Sequence, residues 1–472
     1  MMAPRHPHAL VVAYDFPPDA AIGTMRTLRV VQQLARADWD ITVVTSDPRT
    51  YREGTPVDEV LLSRVPAGVR VVRAPVFRGF DNLKAWVRPR REAPGSKIQD
   101  PSSKVAAAGR SRGLFGRAID IVDAALAIPD HESGWLIPAV TRGLRAVRGN
   151  RPDVIYSSAP PWTGQLVAGV LARRFGCRWV ADFRDPWSRA PWRGDRFRFA
   201  MKAARLLERG VVNRADHVIF VARGNRDEFA AHYGASLAAK MHVIPNGCDP
   251  SEFDDIAYRD HSVADPFVLL HAGSLYAGRT PVPVLRAIAS AIRQGAIDPD
   301  RFRLRFLGHS GLTSMDISSA CRELGLERVV EFAPRVARRE SLTAMRSASA
   351  LLLLQPGHTV SVPGKLHEYL AAGRPILALA EEGETADIVR ASGIGISVPP
   401  EREAELVPAL TSLVRMASAP IAPPPRTLYD GMARAADAVA LLGAVVRGEH
   451  VGTVDAALAM PVASPHATPP GH

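Results

Sequence analysis

Val360-Ser361-Val362-Pro363-Gly364-Lys365-Leu366-His367-Glu368-Tyr369-Leu370-Ala371-Ala372-Gly373-Arg374-Pro375 reads as a loop, a short helix, a stop, and the approach to a buried strand. Pro363-Gly364 starts the helix, Gly373 ends it, and Pro375 cannot continue it. The apolar run Ile376–Ala380 follows as a strand. The helix start gathers unpaired backbone N–H groups, the positive end of the helix dipole and the Lys365 ammonium, which together suit a phosphate. Glu368 lies one turn on, where a carboxylate can accept hydrogen bonds from two vicinal hydroxyls, as on a ribose. A diphosphate and a sugar diol read between Lys365 and Glu368 point to a nucleotide-sugar site. The plain alternative is an amphipathic helix with a solvated lysine and glutamate.

Outward from this stretch the same alternation of apolar run and helical pattern repeats. Strands are expected at Ala9–Tyr14, Ile41–Thr45, Val154–Ser157, Trp179–Asp182, Val218–Val221 and Val243–Ile244, and again at Phe267–His271, Leu304–Leu307, Val329–Phe332, Ala350–Leu354, Ile376–Leu379 and Ile394–Val398. Helical patterns intervene, among them Thr24–Ala35, Leu136–Val147, Thr163–Phe175, Phe197–Asn213, Arg226–Tyr233, Pro283–Arg293 and Leu342–Ser347. Such alternation predicts parallel sheets with crossover helices, hence an α/β protein of two doubly wound Rossmann-like domains. The expected division is residues 1–247, a linker at 248–266, a second domain at 267–426, a helix at 427–448 crossing back to the first domain, and a disordered tail at 449–472. Residues 78–117 read as a basic insertion.

Composition narrows the class. A chain of 472 residues with 47% apolar content suits two or three globular domains. Its three cysteines, Cys177, Cys248 and Cys321, fit a reducing compartment and no disulfide framework. No leader-like apolar stretch follows Arg5, and no uncharged apolar window nears the roughly eighteen residues of a membrane span. The expectation is a cytoplasmic protein. The net charge of +11 is local: Arg70–Arg117 holds twelve basic residues against three acidic ones. A second basic cluster, Arg189–Arg209, is interleaved with Trp187, Trp192, Phe197 and Phe199. This pattern fits an anionic membrane surface on the inner face, or a phosphate-bearing acceptor. No nucleic-acid module accompanies it, so nucleic acid is not the expected partner. A solvated loop is the plain alternative.

Further motifs sit at strand ends. Tyr14-Asp15-Phe16-Pro17-Pro18 leads to Gly23, and His271-Ala272-Gly273-Ser274-Leu275-Tyr276 leads to Gly278-Arg279. Glycine at a strand–helix turn lets a phosphate approach the backbone. Asp182-Phe183-Arg184-Asp185-Pro186-Trp187 follows another strand and is expected to face the interdomain cleft. There Asp185 can orient or deprotonate an acceptor hydroxyl and Arg184 can bind an acceptor phosphate. The alternative is an internal Arg–Asp pair that fixes the loop. Trp135 reads as core or as an acceptor platform. No cluster has metal-ligand spacing, so neither metal nor cofactor is expected.

With these residues in view, the chain resembles the retaining nucleotide-sugar glycosyltransferases of family 4, whose fold is GT-B. The resemblance spans residues 8 to 446 and rests on Tyr14–Pro18 with Gly23, Ile244–Gly247, Gly273–Tyr276 with Gly278-Arg279, Phe306–Gly308, and Lys365–Pro375. It implies a metal-independent enzyme in which Glu368 holds the ribose, and Gly364 and Lys365 cradle the diphosphate. Arg279 then neutralises that diphosphate, Gly23 closes over the donor, and Arg335 lies where the base is read. Phe306-Leu307-Gly308 lends Gly308 to the donor side. The acceptor side would take Ser158, Asp182 and Trp135. A lipid-linked or growing cell-surface glycan is the expected acceptor. The chain also departs from the family. Val360 stands where the first motif glutamate belongs, with His358 nearby. Ser274 replaces a second arginine, and Ser158 stands where a sugar-contacting histidine sits. A donor-binding scaffold of weak catalysis and a GT-B nucleotide-sugar epimerase therefore remain alternatives.

Overall fold

The computed structural model describes residues 5–78, 121–122, 124–125, 127–189, 197–258, 265–275, 280–308, 314–357 and 359–455. Among the described residues of the first domain seven strands form one sheet: β1 (His8–Ala13), β2 (Asp40–Ser46), β3 (Arg70–Ala74), β4 (Val154–Ala159), β5 (Arg178–Phe183), β6 (His217–Phe220) and β7 (Met241–Val243). Their order is β3-β2-β1-β4-β5-β6-β7, and every pairing is parallel. Central strands such as β1 and β4 are buried throughout, because helices cover both faces of a parallel sheet. Those helices include α1 (Ile22–Arg36), α2 (Leu136–Ala146), α3 (Thr163–Phe175), α4 (Arg198–Arg214) and α5 (Arg223–Tyr233).

Among its described residues the second domain has six parallel strands: β8 (Phe267–Ala272), β9 (Phe302–Leu307), β10 (Val330–Ala333), β11 (Ala350–Gln355), β12 (Ile376–Ala380) and β13 (Gly395–Val398). Their order is β10-β9-β8-β11-β12-β13. Between them lie α6 (Val282–Arg293), α7 (Ser314–Glu323), α8 (Arg338–Ser347), α9 (Gly364–Ala372), α10 (Glu384–Ala391) and α11 (Leu406–Ala417). In both sheets the strand order reverses direction beside the first strand of the domain. That switch point opens a crevice at the carboxyl ends of the strands. In the second domain the crevice lies between the turn after β8 and the start of α9.

The last helix, α12 (Gly431–Arg447), packs on α1 of the first domain: Ala435, Ala438, Val439 and Leu442 share a core with Leu28, Val31 and Leu34. The two crossings between domains run side by side. Gly431 donates its N–H to Cys248 O at 2.6 Å, and a Cβ on Gly247 would lie 2.4 Å from Gly431 Cα, so the two chains touch backbone to backbone.

Two expectations need correction. Arg70–Ala74, at the start of the basic stretch and outside the expected strands, is the edge strand β3, and Arg70 Nη1 donates to Ala146 O at 2.5 Å. The tail is ordered past residue 449: Val243 donates its N–H to Val454 O at 2.9 Å and bridges Asp455. The remainder of the expected insertion, residues 79–117, lies outside the described residues.

Candidate active site

Three turns of the second domain meet in the crevice. Gly273, after β8, donates its N–H to Leu307 O at 2.9 Å. Gly308, after β9, has φ +140°, and a Cβ on it would lie 2.6 Å from Gly273 O. Only glycine satisfies both that conformation and that approach. A Cβ on Gly273 would meet Lys365 Cε at 3.9 Å, which sets the Lys365 side chain over the Gly273–Ser274 turn. Ser274 is exposed there, and Arg335 is exposed beyond β10.

The helix that carries Lys365 is bolted beneath this crevice by the rest of its motif. Pro363 is its N-cap, and Gly373 its C-cap with φ +70°. The Tyr369 hydroxyl accepts from Ala272 N–H at 2.9 Å and donates to Leu352 O at 3.3 Å, bridging β8 and β11. His367 is 1% exposed, and burial lowers its imidazole pKa to about 4. The neutral ring donates from Nδ1 to Leu428 O at 2.9 Å, tying α9 to the second interdomain crossing.

Glu368 faces the other way. Its Oε1 accepts from Arg338 Nη1 at 2.9 Å, and its Oε2 forms an ion pair with Lys365 Nζ at 3.1 Å. Oε2 is buried and accepts no directed hydrogen bond, so it retains capacity for a ligand hydroxyl. Burial alone raises this carboxyl, but Lys365 and Arg338 outweigh burial and hold it below the usual glutamate range. Arg338 Nη2 also donates to Glu252 Oε2 at 2.5 Å, and Glu252 Oε1 accepts from Arg64 of the first domain at 2.6 Å. A ladder of charges thus runs from the Lys365 turn to the first domain.

Across the cleft the first domain presents the turns after β1 and β5. Arg184 bonds Asp15 Oδ2 at 3.0 Å and also the Pro160 carbonyl, and its guanidinium fills the space a Cβ on Gly23 would need. Arg184 is therefore the clamp of its own loop, with Asp15 rather than Asp185 as partner. Asp185 is half-buried with no hydrogen bond to a described residue, and burial raises its carboxyl pKa against the opposing charge of Arg184.

The three residues expected on the acceptor side are buried and engaged within the first domain. Asp182 is 0% exposed and accepts from Arg26 Nε (2.8 Å), Tyr156 Oη (2.6 Å) and Ser158 Oγ (3.1 Å). Arg26 also donates to Ile244 O and Pro245 O, so this cluster fixes α1 to the interdomain crossing rather than meeting a sugar. Ser158, 2% exposed, has its hydroxyl turned inward to Asp182. Trp135 is 0% exposed and packs edge-on to Tyr14 at 5.4 Å, within the core. Arg279 and His358 lie outside the described residues.

The structure adds residues that sequence reading did not single out. A Cβ on Gly224 would lie 3.2 Å from Val360 Cα, so the start of α5 packs on the loop ahead of α9. Glu384 of α10 crosses the cleft, and its Oε2 accepts from Arg223 N–H at 2.7 Å, capping α5. Beside them Asn225 is 1% exposed, and both of its amide atoms are buried without a hydrogen-bond partner among the described residues. Gly224 after β6 is one more glycine at a strand–helix turn, a signal available in the sequence. Arg338, thirty residues before Glu368, carries no such signal.

Known proteins share parts of this sequence and its fold. Residues 102–247 match the family model described as a glycosyl transferase 4-like domain, and residues 266–416 match glycosyl transferases group 1. D-inositol 3-phosphate glycosyltransferase of Kineococcus radiotolerans is 30% identical over 224 residues, 44% of this chain and 51% of that protein. The chain thus spans about half the length of the curated relative it matches. Anabaena HepE, solved in complex with UDP and glucose, superposes with a TM-score of 0.59 at 15% identity, covering 93% of this chain and 100% of that one. Sucrose-phosphate synthase from Thermosynechococcus elongatus gives 0.56 at 16% identity, covering 94% and 99%. The fold is GT-B.

Proposed function

With two glycosyltransferase domains on one GT-B chain as the premise, we propose that the protein transfers a glycosyl group from a nucleoside-diphosphate sugar to a hydroxyl of a lipid-linked or cell-surface glycan. The reading includes retention at the anomeric carbon and independence of metal and cofactor. The observation that carries it is the meeting of Gly273, Gly308, Lys365 and Glu368 at one switch point. The neighbour solved with UDP and glucose supports the donor class.

The diphosphate lies on the Gly273 turn and the N-terminus of α9, where backbone N–H groups and the helix dipole favour negative charge. Lys365 exchanges Glu368 for a phosphate oxygen. Glu368 keeps Arg338 and accepts the ribose hydroxyls, Oε2 having capacity to spare. As the anomeric C–O bond breaks, its electron pair stays with the diphosphate. Lys365, the dipole and Arg279 stabilise the charge that develops there. Ser274, Gly308 and Arg335 line the donor side, and Gly23, clamped by Arg184, closes the first domain over it. Asp185 orients the acceptor hydroxyl by accepting its hydrogen bond, and burial, which raises its pKa, makes it a stronger base than a solvated carboxylate.

A second reading, a donor-binding scaffold, has one observation in its favour: Val360 packs on Gly224 and offers no polar group to a sugar. Release of nucleoside diphosphate from a panel of nucleotide sugars, with and without a membrane glycolipid extract, separates the readings. Acceptor-dependent release with a mass shift on a glycolipid supports transfer. Conversion of the sugar without acceptor identifies an epimerase, and binding without turnover identifies the scaffold.

A further inference from the structure

The exposed face of α4 is a cationic surface that no part of the proposed reaction uses. Arg198, Lys202, Arg205 and Arg209 are exposed and recur at helical spacing, so they form one stripe. Phe199 (42% exposed) and Leu206 (62%) stand two turns apart beside that stripe. The only acid between Arg198 and Arg214 is Glu208, 0% exposed, whose Oε2 accepts from Ser188 N–H at 2.6 Å and whose Oε1 accepts from Tyr233 Oη at 2.7 Å. The one negative charge of the helix is thus withheld from its surface. A helix face meant only for water mixes both signs and keeps large apolar groups inside. Cations flanking exposed Phe and Leu match an interface that offers anionic headgroups beside acyl chain. Among the described residues no helix is long and apolar enough to cross a membrane.

We propose that α4 is a membrane-docking face, which lies on bilayers containing anionic phospholipid with Phe199 and Leu206 inserted and the four cations on lipid phosphates. Helices of a parallel sheet begin at the carboxyl edge of the strands, so the Phe197–Phe199 end of α4 lies at the same edge as Asp185 after β5. Docking by this face brings the acceptor side of the cleft to the bilayer. The binding itself does not depend on the transfer reaction.

The test is flotation of the full chain with phosphatidylcholine vesicles, with and without phosphatidylglycerol. Expected are binding only to the anionic vesicles and its loss at raised ionic strength. A basic residue at such a surface contributes about fivefold to partitioning, so Lys202→Glu with Arg205→Glu lowers binding by at least about tenfold. Phe199→Ser with Leu206→Ser lowers it while leaving the charge unchanged. All variants keep the wild-type melting temperature and nucleotide stabilisation, which separates lost docking from lost folding and from failure of the donor site. Equal binding by wild type and both variants overturns the proposal, as does absence of wild-type binding. Oligonucleotide or protein binding that the same variants abolish, without lipid binding, overturns it in favour of that partner.

Discussion

Replacing Glu368 by glutamine keeps the shape of the side chain and removes its charge. In the wild type the carboxylate is held ionised by Lys365 at 3.1 Å and Arg338 at 2.9 Å, so a ribose hydroxyl on Oε2 makes a hydrogen bond to an anion. Such a bond contributes about 1.5–3 kcal/mol, against about 0.5–1.5 for a neutral one. Wild type is therefore expected to prefer a nucleoside diphosphate over its 2′-deoxy analogue by about 10- to 150-fold. In Glu368→Gln that preference shrinks by at least about fivefold, a coupling of about 1 kcal/mol. Isothermal titration calorimetry of both ligands with both proteins closes the cycle. Arg338 keeps its bond to Glu252, so the variant folds, with a melting temperature lowered by a few degrees. An unchanged ribose-to-deoxyribose ratio in a folded variant refutes the assignment of Glu368 to the diol.

Gly308→Ala forces a Cβ to 2.6 Å from Gly273 O at φ +140°; a loss of about 1–3 kcal/mol or more in chemical denaturation is expected, and wild-type stability contradicts the packing described. His242 Nε2 lies 2.8 Å from His217 Nδ1, and His242 Nδ1 accepts from Val454 N–H at 3.0 Å, which requires a neutral ring. Burial lowers the His242 pKa to about 4 and also lowers that of His217, so the native state favours the neutral forms and loses stability as pH falls from 6.5 towards 4. Limited proteolysis beyond residue 450 is therefore expected to speed up at about pH 5 relative to neutral pH, and a pH-independent rate contradicts the clamp. A chelator is expected to leave transfer unchanged, because Lys365 and the α9 N-terminus meet the diphosphate charge; chelator-sensitive activity restored by a divalent cation contradicts metal independence.

What the sequence discloses is local. The apolar runs of β1, β4, β11 and β12 are buried on both faces and stand out in the chain, as do the Pro363 start and Gly373 stop of α9. β3 escapes because its residues, Arg-Val-Val-Arg-Ala, mix arginines into an edge strand whose first residue is exposed. Side-chain direction is less legible still. Asp182 lies in β5 and Asp185 just after it, yet one is sealed beneath Arg26 and Tyr156 while the other has no hydrogen bond to a described residue. Nothing local distinguishes them, because the difference comes from α1 and β4, distant in sequence. Arg338 is illegible for the same reason: its partners Glu252 and Glu368 lie on opposite sides of it in the chain. The crevice glycines could be found, since a glycine at a strand–helix turn is a local signal. That Gly273 and Gly308 touch follows only from the sheet order.

The central claim is that a nucleoside-diphosphate sugar binds where Gly273, Gly308 and Lys365 meet. Thermal stabilisation across a panel of nucleoside diphosphates and their sugars, with wild type and Lys365→Ala, tests it most directly. The account predicts stabilisation by one base class in the wild type, and its loss in a Lys365→Ala protein that melts normally without ligand. A folded wild type that no member of the panel stabilises would contradict it, as would stabilisation that survives Lys365→Ala undiminished.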